Sequence, residues 1–210
     1  MAARSGSPVA DLLVVFALVF LVQLVTAATG VLEGLFVLAP PLAEHPWTIV
    51  TSVYAHAGVG HLVSNAVALV LFGWPVARAT TRVRFHAFFL ATGALAGVSQ
   101  ILLSHLAAET PVLGDALSAL PGVTVAATGG VLGASGAVFG LLGYLLAANR
   151  PSAGLFARIH LPRWLTLAAF VAVAGLVTLA TAEPGVAVIA HFTGLFVGLL
   201  AGRLGVLDPR

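Results

Sequence analysis

Six stretches of this 210-residue chain are apolar over about the length a helix needs to cross a bilayer, roughly 20 residues each. They lie near residues 9–28, 61–77, 85–107, 132–148, 164–182 and 186–203. In hydrocarbon no water satisfies backbone N–H and C=O groups, so each stretch has to close its own hydrogen bonds as a helix. A soluble domain does not account for the pattern: 60% of the residues are hydrophobic, only 8% are charged and the mean hydropathy is +1.10. The sequence predicts an all-α membrane protein, a bundle of six transmembrane helices with no separate soluble domain. The bundle takes up residues 9–205, between a short N-terminus (1–8) and a C-terminal tail (206–210).

The charges agree with that count. Arg4 precedes the first stretch. Arg78, Arg82 and Arg84 follow the second, Arg150, Arg158 and Arg163 follow the fourth, and Arg203 and Arg210 end the chain. The other three connections hold only acids: Glu33 and Glu44, Glu109 and Asp115, then Glu183. Arginine collects on the cytoplasmic side, so both termini are expected in the cytoplasm. The first stretch is long for a secretory signal, and removing it would break the alternation, so it is read as a retained span. Residues 29–60 are apolar for a loop and are expected to lie in the membrane interface, with Trp47 and Tyr54 as anchors. The pI near 9.9 reflects nine arginines spread along the chain without a cluster, which argues against a nucleic-acid partner. With no cysteine, thiolate metal sites and a cysteine nucleophile are excluded. Alanine, valine, glycine and arginine without lysine are the usage of a GC-rich bacterial genome, which suggests a bacterial plasma membrane.

Polar residues gather at one depth. Ser135 lies fifteen residues before Arg150, Asn65 thirteen before Arg78 and His191 twelve before Arg203, which puts them about 18–23 Å above the inner boundary. His61 lies one turn above Asn65, and His56 is in the loop beyond. Polar groups at that depth are costly unless they partner one another or line a wet cavity. Singly, each has an ordinary structural reading: Ser135 as a small packing residue, His191 as an interhelical hydrogen-bonding group, His61 and Asn65 as a helical pair. Taken together they make a candidate site. Gly194 and Gly198 share the His191 face, and Gly133, Gly136 and Gly140 give the fourth span a matching small surface, so the two helices can bring an imidazole to a hydroxyl. A serine needs a base to become nucleophilic, and a neutral imidazole is the usual one. No acid lies within reach, which predicts a Ser-His dyad. N–H groups of His61 and Asn65, with the Ser135 amide at a helix start, are placed to stabilise an oxyanion.

These motifs resemble those of the rhomboid family of intramembrane serine proteases. "GASG" is similar to the family's G-x-S-G, which makes Ser135 the nucleophile, and "AHFTG" to its A-H-x-x-G, which makes His191 the base. "HAGVGHLVSN" is similar to H-x4-H-x3-N, which implies oxyanion roles for His61 and Asn65 beside a supporting His56. The resemblance covers nearly the whole chain after Val9. It implies a minimal six-helix core of the bacterial type, an outward-opening cavity, transmembrane protein substrates cut near their outer end, and neither cofactor nor metal. Two positions depart from the family pattern: Thr48 follows Trp47 where arginine is frequent, and Phe139 stands where many bacterial members have tyrosine against the base.

Other classes fit less well. A catalytically inactive rhomboid-like module that binds membrane proteins is the alternative, but it predicts loss of the serine or the histidine. A transporter would favour acids inside spans or repeat symmetry. The histidines of the second span lack metalloprotease H-E-x-x-H spacing, and Ala137 breaks the G-x-S-x-G of a soluble hydrolase elbow.

Overall fold

The computed structural model describes residues 6–120, 129–148, 162–182 and 187–208. Arg4, Arg150, Arg158, Glu183 and Arg210, which carry part of the charge argument, lie outside the described residues, as does residue 186, the expected start of the last span. The chain's regular structure, among the described residues, is helical apart from one isolated β-bridge.

Helix α1 (Pro8–Thr29) starts with proline at its first position, where no amide donor is needed, and ends at Gly30, whose φ of 74° is the left-handed C-cap conformation. Val9, Leu12, Phe16 and Gln23 form its one buried stripe. Two short helices, α2 (Leu32–Phe36) and α3 (Thr48–Thr51), lie in the connection read from sequence as an interfacial loop. Trp47 is exposed there, its indole N–H donating to the Gly34 carbonyl at 2.8 Å. Thr48 is buried and donates to the His45 carbonyl at 2.6 Å. Tyr54 is half-buried, and its ring stacks on Phe89, 6.3 Å between centroids.

Helix α4 (Val59–Arg78) changes to a π-helical turn over Leu69–Gly73. The turn ends two residues before Pro75, which lacks an amide for the regular ladder, and such bulges form where the ladder is interrupted. Helix α5 (Arg82–Glu109) is capped by Thr81, whose hydroxyl accepts from the Arg84 amide. A short helix α6 (Pro111–Ser118) follows it. Then come α7 (Ser135–Ala148), α8 (Arg163–Ala180) and α9 (Val188–Arg203). Among the described residues α1, α4 and α5 are long and apolar enough to cross a membrane, whereas α7, α8 and α9 are apolar but shorter.

Helix α7 packs against both α5 and α9, and glycine makes the approach possible. A Cβ added at Gly194 would sit 2.0 Å from the Gly136 carbonyl oxygen, at Gly198 2.1 Å from that of Gly140, and at Gly143 2.2 Å from that of Leu195. No side chain fits there, so the two backbones touch. On the other side, a Cβ at Gly136 would meet Ala96 at 2.5 Å and one at Gly140 would meet Thr92 at 2.4 Å. Gly133, expected to belong to this surface, does not: it lies outside the helix. Two apolar clusters complete the packing. One is built on Phe16, Phe85, Phe89 and Leu141, the other on Phe170, Leu195 and Leu199.

Candidate active site

The strand-like segment before α7 sets the position of Ser135. Leu38 and Val131 exchange backbone hydrogen bonds of 2.9 and 2.8 Å, and the Gly133 amide donates to the Ser52 carbonyl at 2.9 Å. Gly133 has φ 138°, a conformation that only glycine adopts at little cost. These tethers end the extended segment one residue before the serine. Helix α7 therefore starts at Ser135, not at residue 132 as the apolar run predicts. As the first helical residue, Ser135 has an amide with no intrahelical acceptor.

His191 lies in the first turn of α9 and is buried. The Phe139 ring stacks on its imidazole, 4.3 Å between centroids and 16° from parallel. Packing alone thus orients the ring at a position where a hydroxyl is absent. The start of α9 is held from α5: the Ala190 amide, one of the donors a helix leaves unpaired, donates to Gln100 Oε1 at 3.1 Å.

His61 and Asn65 are one turn apart on α4, and Asn65 Nδ2 donates to the His61 carbonyl at 3.1 Å. The Ala57 amide donates to His61 Nδ1 at 3.4 Å. A neutral His61 ring then carries its proton on Nε2. That edge lies over Gly133: a Cβ there would be 2.6 Å from His61 Cε1 and 3.0 Å from Nε2. His56 sits in the turn before α4, its ring edge-on to Phe16 at 4.8 Å and to His61 at 5.3 Å. Burial, reinforced by the neighbouring His61, pushes His56 down to about 4, which keeps it uncharged at neutral pH.

Ser135, His191, His61 and Asn65 line one cavity of about 690 Å³, with Ser64, Phe72, Val131, Val138 and Phe139 among its other walls. No carboxylate borders it among the described residues. No hydrogen bond joins Ser135 Oγ to His191 among the described residues. Such contacts are often long in an empty site and tighten when substrate is bound. The cavity offers a hydroxyl, an imidazole base and N–H donors from a separate helix, the parts that acyl transfer requires. Of the supporting positions, His56 and Gly133 border His61, Phe139 stacks on His191, and Gly136, Gly194 and Gly198 set the spacing of α7 and α9.

Two residues went unread in the sequence. Gln100 holds the start of α9, and Gln23 on α1 pairs with the His56 backbone. Both are glutamines isolated in apolar runs, and that isolation is itself the signal: a buried amide in a span has a polar partner on another element.

Comparison with known proteins gives a match to a family described as Rhomboid domain over residues 43–207. Rhomboid-related protein 2 of Mus musculus is 33% identical over 75 residues, 36% of this chain and 24% of that protein. The match spans about a quarter of that relative's length.

Proposed function

The chain belongs to the rhomboid family, and we propose that it is an intramembrane serine endopeptidase acting through a Ser135–His191 dyad. The observation that carries this reading is the shared cavity: the serine, both motif histidines and Asn65, drawn from three helices, border one space. The protein is an integral, multi-pass membrane protein. The proposal extends this to six spans over residues 9–205, with both termini in the cytoplasm of a bacterium and the cavity open outward.

In this mechanism a substrate transmembrane segment unwinds near its outer end, because a regular helix hides its carbonyls. Small, helix-weakening residues are therefore expected around the cut. Ser135 Oγ attacks the carbonyl carbon while His191 takes the hydroxyl proton, and the carbonyl π electrons move onto oxygen. His61, Asn65 and the Ser135 amide hold that oxyanion. The C–N bond then breaks, with His191 returning the proton to the leaving amine. Water attacks the acyl-enzyme, giving a proton to the same imidazole, and the Ser135 hydroxyl is restored. No acid is required to orient His191, because Phe139 packs against its face.

The test is cleavage of a model transmembrane substrate in detergent. Ser135→Ala and His191→Ala are each expected to abolish cleavage while the thermal unfolding transition stays in place. Full activity in either would reject the dyad, whereas a wild type that cleaves no transmembrane substrate would leave the membrane-protein binding module as the better reading.

A further inference from the structure

Helix α1 contributes nothing to the cavity wall, yet one of its residues is tied to the site. Gln23 is 3% exposed, the polar member of the one buried stripe of a largely exposed helix. Both ends of its amide are used on the same backbone residue, 33 positions away: Nε2 donates to the His56 carbonyl at 3.2 Å, and the His56 amide donates to Oε1 at 2.9 Å. This closed pair fixes the peptide on both sides of His56, much as a neighbouring strand would. Phe16, two turns earlier on the same face, packs against the His56 ring. Helix α1 therefore grips His56 by backbone and by side chain.

What His56 adjoins gives the grip its consequence. Its ring abuts His61, and the next amide, Ala57 N–H, donates to His61 Nδ1 at 3.4 Å. That bond is near the limit of a hydrogen bond, so a small shift of the 56–57 peptide would lose it. Without it, no other group among the described residues bonds Nδ1 to select the tautomer that presents Nε2–H toward Gly133. We propose that Gln23 is a positioning residue for the proposed reaction: by clamping the 56–57 backbone it holds the His61 ring in the orientation and tautomer that donates to the oxyanion. This rests on the protease reading given above and adds to it a remote residue on a different helix.

The test uses the full chain in detergent with a transmembrane substrate. Loss of cleavage in Ser135→Ala is the control on the protease reading, and its failure would count against that reading alone. Gln23→Met keeps the shape and removes both hydrogen bonds; Gln23→Glu keeps the acceptor and loses the donor. With the protease control met, Gln23→Met is expected to lower kcat about tenfold with KM within about twofold, the pattern of a lost transition-state contact. The same substitution is expected to have no further effect in a His61→Ala background. Gln23→Glu is expected to fall between wild type and Gln23→Met. A wild-type kcat in Gln23→Met, or an equal fold-loss in both backgrounds, would overturn the proposal, since a merely structural role does not depend on His61. A second measurement needs neither activity nor a folded Gln23 variant. Nitrogen-15 spectra of histidine-labelled wild type, with the His61 signals identified by their loss in His61→Ala, are expected to show the neutral, Nε2-protonated form. An Nδ1-protonated His61 would overturn the assignment.

Discussion

In the proposed mechanism the Asn65 side chain serves two purposes. Its amide nitrogen is engaged by the His61 carbonyl, yet it also borders the cavity, where a second N–H is free to meet a developing negative charge. His61 and the Ser135 amide offer further donors, so Asn65→Ala is expected to lower kcat by about 10- to 100-fold, short of the loss in Ser135→Ala. Single-turnover cleavage would measure it, and an unchanged rate would remove Asn65 from the oxyanion group. The residues readable in the sequence were those with a polar group in an apolar run and a motif around them: Ser135, His191, His61 and Asn65. Gln23 and Gln100 have the first property only. Their partners are backbone groups of other elements, at His56 and Ala190, and no local pattern marks a backbone partner.

At the scale of elements, helix positions follow from apolar runs, but helix starts depend on tertiary contacts. The run from residue 132 predicts helix, yet the Leu38–Val131 bridge and the Gly133–Ser52 bond hold that segment extended until Ser135. Gly133 likewise belongs to the His61 contact, not to the helix interface, because its φ of 138° keeps it out of α7. The short helices α2, α3 and α6 span too few residues for periodicity to reveal them. The α7–α9 contact was legible because glycines at helical spacing on both runs have no other shared use. Gly198→Val is expected to destabilise the protein by about 3 kcal/mol or more, since the Cβ alone would meet the Gly140 carbonyl at 2.1 Å. Thermal unfolding in detergent would read this as a lowered Tm, and an unchanged Tm would contradict the close backbone contact.

The whole molecule is organised by two ends. Around the cavity end, α4, α7 and α9 supply the site, while α1 and α5 hold it through Gln23 and Gln100. At the other end, Asp11 takes a bidentate pair from Arg82 at 2.6 and 2.8 Å and a contact from His86 at 3.1 Å. Tyr144 donates to Asp208 at 2.9 Å, and Arg84 reaches the Asp208 carbonyl, tying the turn after α9 to α5 and α7. Arg82 and Arg84, two of the arginines that set the orientation, thus also join helices through Asp11 and Asp208. Orientation can be checked directly, because the chain has no cysteine of its own. A single cysteine introduced at Glu44 is expected to react with an impermeant maleimide in intact cells, and one at Ala79 only after permeabilisation. The reverse pattern would invert the topology.

The central claim is that Ser135 is made nucleophilic by His191 within the shared cavity. Labelling of the detergent-solubilised protein with a fluorophosphonate, followed by peptide mapping, tests it most directly. The account predicts one adduct, on Ser135, formed by the wild type and lost in His191→Ala. A protein that is not labelled, or that is labelled at Ser135 equally fast without His191, would contradict it.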